Sequence, residues 1–137
     1  MKKAAAAISV LAVLQGCGLV SSPVYLHHGV SAGTVVTSGL ELRGIASWYG
    51  IPFHGRKTAN GETYDMNGLT CAHRTLPFGT VLIVTNMGNN RSVTVRVTDR
   101  GPFISGRIVD LSRGAAAVLG MLDTGTALVT MKVVGNE

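Results

Sequence analysis

Charged and aromatic residues are both scarce in this sequence of 137 residues, at 14% and 5%. The basic residues are scattered, and the formal charge of +5 falls to +3 without Lys2 and Lys3. We therefore expect no nucleic-acid partner. No apolar run reaches the roughly 20 residues that a membrane-spanning helix needs. Glycine is plentiful, with 18 residues, which favours short strands and tight turns in one domain over a helical bundle.

The first 17 residues have the pattern of a bacterial lipoprotein signal. Lys2 and Lys3 precede the apolar run AAAAISVLAVL at 4–14, and the last leucine of that run begins the sequence LQGC at 14–17. The run is typical of a removable signal core, and LQGC resembles a lipobox, although Gln15 is an unusual occupant of its position. The resemblance implies cleavage before Cys17 and acylation of that cysteine, which gives stable anchoring when two or more chains are attached. An ordinary secretory peptide with an incidental cysteine is the alternative.

This reading divides the chain into a signal peptide at 1–16, a lipid-anchored flexible tether at 17–40 and one domain at 41–137. Residue 18 is glycine rather than aspartate, which by resemblance to enterobacterial sorting favours the outer membrane, facing the periplasm. The sequence has only two cysteines, Cys17 and Cys71. If Cys17 is acylated, Cys71 has no partner and the domain has no internal disulfide. We expect Cys71 to be a buried structural thiol rather than a nucleophile.

Short apolar runs alternate with turn signals from Leu42 onward, the pattern of an all-β sandwich or barrel. In RSVTVRVTD the residues Val93, Val95 and Val97 alternate with polar ones, which predicts a half-buried strand. The helix candidate is SRGAAAVLG, with Ser112 as its N-cap. About six strands and one short helix predict a small barrel. The strand candidates are RGIASWYG, TVLIVTN, RSVTVRVTD, GRIVDLS and TALVTMKVV.

Two polar segments between strands carry the candidate chemistry, FHGRKTANGETYD at 53–65 and TDRGPFISGR at 98–107. Each places a carboxylate beside glycines, Glu62 in the first and Asp99 in the second, and His73 lies between them. Taken singly, such residues more often cap turns, face solvent or support structure. Together they favour a functional site. No metal site is evident, since there are no paired cysteines and no His-Glu-x-x-His pattern, and no cofactor is expected.

The order and spacing of five segments are similar to the rare lipoprotein A family of septal-ring lytic transglycosylases. The resemblance covers almost all of residues 43 to 134 and implies a six-stranded double-psi β-barrel, the fold shared with expansins. It also implies that the substrate is peptidoglycan, cut between N-acetylmuramic acid and N-acetylglucosamine to leave a 1,6-anhydro ring. The segments are GIASWYG, FHGRKTANGETYDM, TCAHRTLPFGT, VTVRVTDRGPF and GRIVDLSRGAA.

The functional carboxylates of that family match Glu62 and Asp99, and its histidine matches His73. We expect Asp99 to protonate the glycosidic oxygen and then accept the proton of the sugar's C6 hydroxyl, so that one carboxyl serves both steps. Asp99 must then start as the neutral acid, which apolar neighbours or the like charge of Glu62 would favour. Glu62 and His73 are expected to bind sugar groups or tune Asp99. Arg100 is expected either to point away or to hold substrate.

The expected substrate-binding residues are mainly aromatic, because sugar rings stack on such side chains. Trp48, on an alternating strand, is as well suited to the core. Arg56, Lys57 and Arg107 are candidates to meet carboxylates of stem peptides or lactyl groups. The substrate-binding set is Tyr49, Tyr64, Arg100 and Phe103.

Two other functions remain open at this stage. The same barrel can bind glycan without cutting it, or it can act as a scaffold lipoprotein that recruits cell-division proteins. Longer members of the family carry a C-terminal repeat domain that binds glycan stripped of stem peptides. Since the last predicted strand ends close to Glu137, we expect no such domain here, and we therefore predict neither septal targeting nor a preference for denuded glycan.

Overall fold

A computed structural model describes residues 38–137. The predicted signal at 1–16, the lipidation site Cys17 and the predicted tether up to residue 37 lie outside this range. In the part described, no helix is long and apolar enough to cross a membrane. The strands and the α-helix are β1 (Glu41–Tyr49), β2 (Thr70–Ala72), β3 (Thr80–Asn86), β4 (Ser92–Asp99), β5 (Arg107–Ser112), α1 (Arg113–Val118) and β6 (Thr126–Asn136), and a single 3-10 turn spans Ile51–Phe53.

The six strands close a barrel in the order β1-β5-β2-β4-β3-β6. Two pairs are parallel, β1 with β5 and β2 with β4, and the other four pairs are antiparallel. The prediction of a six-stranded all-β barrel with one short helix is confirmed. The chain already pairs with β6 just before β1 begins, since the Gly39 N–H donates to the Val133 carbonyl at 2.8 Å.

The barrel interior is filled by the apolar face of each alternating strand. Val93, Val95 and Val97 are all buried, which confirms the half-buried strand predicted for this segment. Cys71 is fully buried in the same core, and its burial raises the pKa of the thiol. This agrees with the structural role expected for that cysteine.

The helix closes one side of the core. Ser112 caps it as predicted, because its Oγ accepts a hydrogen bond from the Ala115 N–H at 3.2 Å. The same hydroxyl donates to the Gly68 carbonyl at 2.6 Å, which ties the loop before β2 to the helix. Ala115, Ala116 and Leu119 are completely buried against the strands.

Strand β2 is the element that the sequence did not delimit. It has only three residues, too few for a periodic pattern, and it forms because β4 and β5 supply partners on both sides. Cys71 lies opposite Val97 on one neighbour and Leu111 on the other. The short strand therefore joins the two strands that carry the acidic residues described next.

Candidate active site

An open cavity of about 370 Å³ lies beside the ends of β1, β4 and β5. It contains two carboxylates, Asp99 and Asp110. Four aromatic side chains and two arginines are also part of the lining, whose polarity is mixed, as is usual for ligand sites. The lining residues are Ser47, Trp48, Tyr49, Phe53, Ala72, Asp99, Arg100, Gly101, Pro102, Phe103, Arg107 and Asp110.

Strand register places four of these residues in one row across the barrel wall. Ser47 lies opposite Asp110, Asp110 opposite Ala72, and Ala72 opposite Asp99. Residues directly opposite on neighbouring strands project from the same face of a sheet. The two aspartates thus flank Ala72 two strand spacings apart, or about 10 Å between Cα atoms. The small alanine leaves the space between them open.

Asp99 is held through one of its two carboxylate oxygens. Its Oδ1 accepts hydrogen bonds from the backbone N–H groups of Ala59, at 3.0 Å, and Arg100, at 2.9 Å. No hydrogen bond to Oδ2 forms within residues 38–137. The first of the two predicted loops therefore reaches Asp99 through its backbone, and the second oxygen is left for a ligand.

Asp110 is the functional candidate that sequence reasoning missed. Its Oδ1 accepts a hydrogen bond from the Ser47 hydroxyl. The segment GRIVDLS is a predicted strand and part of one of the five family-like segments, but the sequence analysis assigns no role to Asp110. The sequence does contain a signal, because Asp110 stands between two apolar residues of a predicted strand and so must face the opposite side of that strand. The structure shows both neighbours, Val109 and Leu111, fully buried.

Tyr49 and Tyr64 form an aromatic stack at one side of the cavity. Their ring centroids lie 4.4 Å apart at 25°, and Phe53 meets Tyr49 edge-on at 5.8 Å. Tyr64 is only 3% exposed, and its hydroxyl donates to the Tyr49 carbonyl at 2.6 Å. Of the two tyrosines in the predicted substrate-binding set, Tyr49 lines the cavity, whereas Tyr64 supports it from behind and is not part of the lining.

The Tyr49 hydroxyl is buried and has no hydrogen-bond partner among residues 38–137. Burial raises the pKa of this phenol, and the negative charges of Asp99 and Asp110 raise it further. Tyr49 is therefore a neutral hydrogen-bond donor facing an acidic surface.

His73 is buried behind Asp99 rather than in the cavity lining. Its ring Nδ1 accepts hydrogen bonds from the backbone N–H groups of Thr75 and Leu76 at 3.1 and 3.0 Å. The backbone N–H of His73 donates to the Asp99 carbonyl at 3.1 Å. Burial lowers the pKa of the imidazole, with Arg74 and Arg100 as further causes. Because Nδ1 is an acceptor, the neutral ring carries its proton on Nε2.

The Arg100 side chain binds groups of the protein itself. Its Nη1 donates to the carbonyls of His73, at 3.2 Å, and Leu76, at 2.8 Å, and its guanidinium lies 3.8 Å from the Phe78 ring centroid. This geometry favours the first of the two expectations for Arg100, that its charged end points away from substrate. Phe103, by contrast, is 82% exposed at the cavity rim, where a ligand can reach it.

Glu62 lies outside the cavity lining. Its two carboxylate oxygens accept hydrogen bonds from Arg96 Nη1 and Nη2, both at 2.8 Å. The Arg96 guanidinium lowers the pKa of Glu62. The charge of Glu62 is thus balanced by Arg96, so Glu62 is poorly placed to keep Asp99 neutral by repulsion. Arg56 and Lys57 are exposed on the same loop, and only Arg107 of the three predicted cations lines the cavity.

Within residues 38–137, no three His, Cys, Asp or Glu side chains converge as metal ligands. The polar side-chain groups around the cavity include two carboxylates, a serine hydroxyl and a phenol. That set suits proton transfer to and from a sugar oxygen, together with stabilisation of positive charge on a ring.

The barrel is of the double-psi type found in expansins. The solved structure of apo expansin from Clavibacter michiganensis aligns with a TM-score of 0.57 and 21% identity, over 72% of this chain and 52% of that one. The Streptomyces papain inhibitor aligns with a TM-score of 0.60 and 26% identity, over 74% of this chain and all of its own. These likenesses establish the fold, which confirms the prediction of a double-psi barrel.

Residues 41–131 match the family model described as lytic transglycolase. The chain belongs to this family, as its motifs indicated. It is 61% identical over 102 residues to the Campylobacter jejuni protein named endolytic peptidoglycan transglycosylase RlpA, covering 74% of this chain and 37% of the relative. The Pseudomonas aeruginosa UCBPP-PA14 protein of the same name is 58% identical over 92 residues, covering 67% and 27%. The chain thus spans about a third of the length of these relatives.

Proposed function

We propose that this chain is an endolytic lytic transglycosylase that cuts peptidoglycan glycan strands between N-acetylmuramic acid and N-acetylglucosamine, in cell-wall remodelling or cell separation. The observation that carries the proposal is the placement of Asp99 and Asp110 on either side of Ala72 in an open, aromatic-lined cavity. Membership of the lytic transglycolase family and the names of the relatives support it.

In the proposed mechanism, Asp99 acts through its free Oδ2. As a neutral acid it gives its proton to the glycosidic oxygen while the bond between that oxygen and the muramic acid C1 breaks. The C6 hydroxyl of the same sugar then attacks C1, and its proton passes to the Asp99 carboxylate. The acid is regenerated, and the products are a 1,6-anhydro sugar and a free hydroxyl on the leaving sugar. The reaction requires no water nucleophile.

Asp110 is the group proposed to stabilise the positive charge that develops on the sugar ring. An anion fixed where charge develops is effective because it need not reorganise during the reaction. The Ser47 hydroxyl, which donates to Asp110 Oδ1, keeps that carboxyl oriented. The division of labour between two carboxyls in different surroundings is a recurring one in glycoside chemistry.

Sugar faces are proposed to stack on Tyr49 and Phe103, which line one side and the rim of the cavity. Arg107, in the same lining, is the cation proposed to meet a lactyl or stem-peptide carboxylate. Arg100 and Tyr64 are proposed to act indirectly, since their polar ends bind the protein itself. His73 is proposed to hold the turn at residues 73–76 against Asp99.

The test is release of soluble anhydro-muropeptides from purified sacculi, measured by mass spectrometry. We expect product from the wild-type chain, and none from Asp99→Asn, which keeps the shape of the side chain without its acid. Lys132→Met, at an exposed site on β6, is the matched control and should behave as wild type. A protein that sediments with sacculi and releases nothing would overturn the enzyme and support the glycan-binding alternative.

The proposed location is the bacterial cell envelope, with the chain anchored through acylated Cys17 to the outer membrane and facing the periplasm. The sequence LQGC and the glycine at residue 18 support this. Mass spectrometry of the N-terminal peptide should find acylated Cys17, and Cys17→Ala should move the protein from the membrane to the soluble fraction. Cell-division proteins are proposed as further partners, to be tested by co-purification from dividing cells.

A further inference from the structure

The turn that carries Glu62 has a shape fixed by its own hydrogen bonds. The Thr58 N–H donates to the Glu62 carbonyl at 2.8 Å, and the Gly61 N–H donates to the Thr58 carbonyl at 2.9 Å. Gly61 has φ +89°, a conformation that favours glycine. Residues 58–62 therefore form a small unit, the closed tip of the hairpin at 55–64, and its position over β4 depends on the contacts that hold it to the barrel.

Three contacts hold this unit to β4, and all of them are made to residues 96–99 of that strand. Glu62 forms its two-pronged ion pair with Arg96, the Asn60 N–H donates to the Thr98 carbonyl at 3.1 Å, and the Ala59 N–H donates to Asp99 Oδ1 at 3.0 Å. The ion pair is the one that uses both side chains and two parallel hydrogen bonds, the strongest geometry of this kind.

Arg96 is a firm base for that contact. It lies in the middle of β4, paired in register with Val81 on one side and Thr70 on the other. Its neighbours on both sides are barrel strands, so the backbone beneath the guanidinium cannot follow a shifting turn. The Glu62 side chain is still 46% exposed, which means that a ligand could also approach it directly.

We infer that Glu62 and Arg96 are positioning residues, whose ion pair keeps the Ala59 N–H on Asp99 Oδ1 so that Oδ2 faces the substrate. Resting on the proposed function, this inference replaces the direct catalytic role expected for Glu62 with an indirect one. It also gives a function to Arg96, which the sequence analysis did not single out. Without the ion pair the turn lifts, Oδ1 loses a donor and the carboxyl rotates.

The kinetic test compares Glu62→Gln, Arg96→Met and the charge-reversed double variant Glu62→Arg with Arg96→Glu. Glu137 approaches Arg96 at 3.9 Å, so the whole series is made on a Glu137→Gln background to avoid a new repulsion. We expect each single variant to lower kcat about ten- to a hundredfold with little change in KM, as small misplacement of a reacting group does. The double variant should recover most of the loss. Arg43→Met, at an exposed arginine on β1, is the control.

A second measurement does not depend on activity. Amide hydrogen exchange at Ala59, followed by NMR, should speed up in both single variants and slow again in the double variant. An unchanged exchange rate at Ala59 in the single variants would overturn the inference. A wild-type kcat in Arg96→Met together with a lowered kcat in Glu62→Gln would also overturn it, because Glu62 would then contact the substrate itself. If the wild-type chain releases no anhydro product, the proposed function fails, while the exchange measurement still decides whether the ion pair holds the turn.

Discussion

The Ser47 hydroxyl donates a hydrogen bond to Asp110 in the cavity that also contains Asp99. Ser47 and Asp110 lie directly opposite each other on the parallel strands β1 and β5. A hydroxyl that is fixed by strand register can orient one carboxyl oxygen without any loop movement. The second acid of the cavity is thus built on rigid elements, whereas Asp99, at the end of β4, depends on a loop for its donors.

Removal of the Asp110 charge is predicted to slow the chemical step. Asp110→Asn should lower kcat about a hundredfold, the usual loss when one preorganised electrostatic group is removed from an active site. Ser47→Ala should cost less, about tenfold, because the carboxylate remains but is less well oriented. Anhydro-product release under saturating glycan measures both. Wild-type kcat in Asp110→Asn would contradict a catalytic role for this residue.

Loss of the Tyr49 hydroxyl is predicted to stabilise the fold. That hydroxyl is buried without a partner among the residues described, and a buried unsatisfied polar group costs about 1–3 kcal/mol. Tyr49→Phe keeps the stack on Tyr64 and should raise the free energy of unfolding by about 1 kcal/mol in urea titrations. Tyr64→Phe is the matched comparison and should lower it, since the hydroxyl of Tyr64 does have a partner.

Because the Tyr49 hydroxyl is buried, it does not reach a bound glycan, and Tyr49→Phe should leave KM unchanged while it stabilises the protein. A more stable variant with an unchanged KM would assign Tyr49 to sugar stacking alone. A less stable variant would show that the hydroxyl is satisfied in solution.

The contribution of His73 to stability is predicted to depend on pH. Its pKa in the folded protein lies below the ordinary 6.5, so the unfolded chain binds a proton more readily. The free energy of unfolding should therefore be constant above about pH 6.5. It should fall as the pH drops from about 6.5 to the lowered pKa of the folded state. Urea unfolding between pH 5 and 8 measures the slope.

His73→Asn is the informative variant, because its side-chain oxygen can still accept the two N–H groups now bound by Nδ1. The slope between pH 5 and 6.5 should become shallower than in wild type. His54→Asn, at a more exposed histidine, is the matched control. An identical slope in His73→Asn and wild type would contradict the prediction.

The Cys71 thiol is predicted to be inert in the folded protein. It is fully buried and burial raises its pKa, so little thiolate forms at neutral pH. A thiol reagent should leave Cys71 unmodified in native protein and label it fully in urea. Cys71→Ser should lower the free energy of unfolding by about 1–3 kcal/mol, because it buries a hydroxyl among apolar side chains. Rapid labelling of native protein would contradict the buried position.

The sequence was most informative where a local pattern determines the structure. Alternation at Val93, Val95 and Val97 predicted β4, and Ser112 followed by alanines predicted the helix and its cap. Both depend on neighbours in the chain. Strand β2 escaped delimitation because its three residues are defined by β4 and β5, which lie far away in sequence.

The site was predicted in part for the same reason. Asp99 stood out because it begins a polar loop, but Asp110 is hidden within a strand and becomes functional only through the register that sets it beside Ala72 and Ser47. The partner of Glu62 is 34 residues away, on the face of β4 that alternation marks only as polar. No spacing rule identifies Arg96 as that partner. The catalytic roles of Asp99, Glu62 and His73 remain predictions.

The three-residue strand β2 also determines how wide the cleft between the two acids is. Ala72 lies between Asp99 and Asp110 in the strand register, so the clearance for a sugar ring at this point depends on the size of that one side chain. A leucine there would leave both aspartates on their strands and yet close the gap between them. Such a change offers a way to switch off turnover while the acids, the aromatic stack and the barrel stay in place.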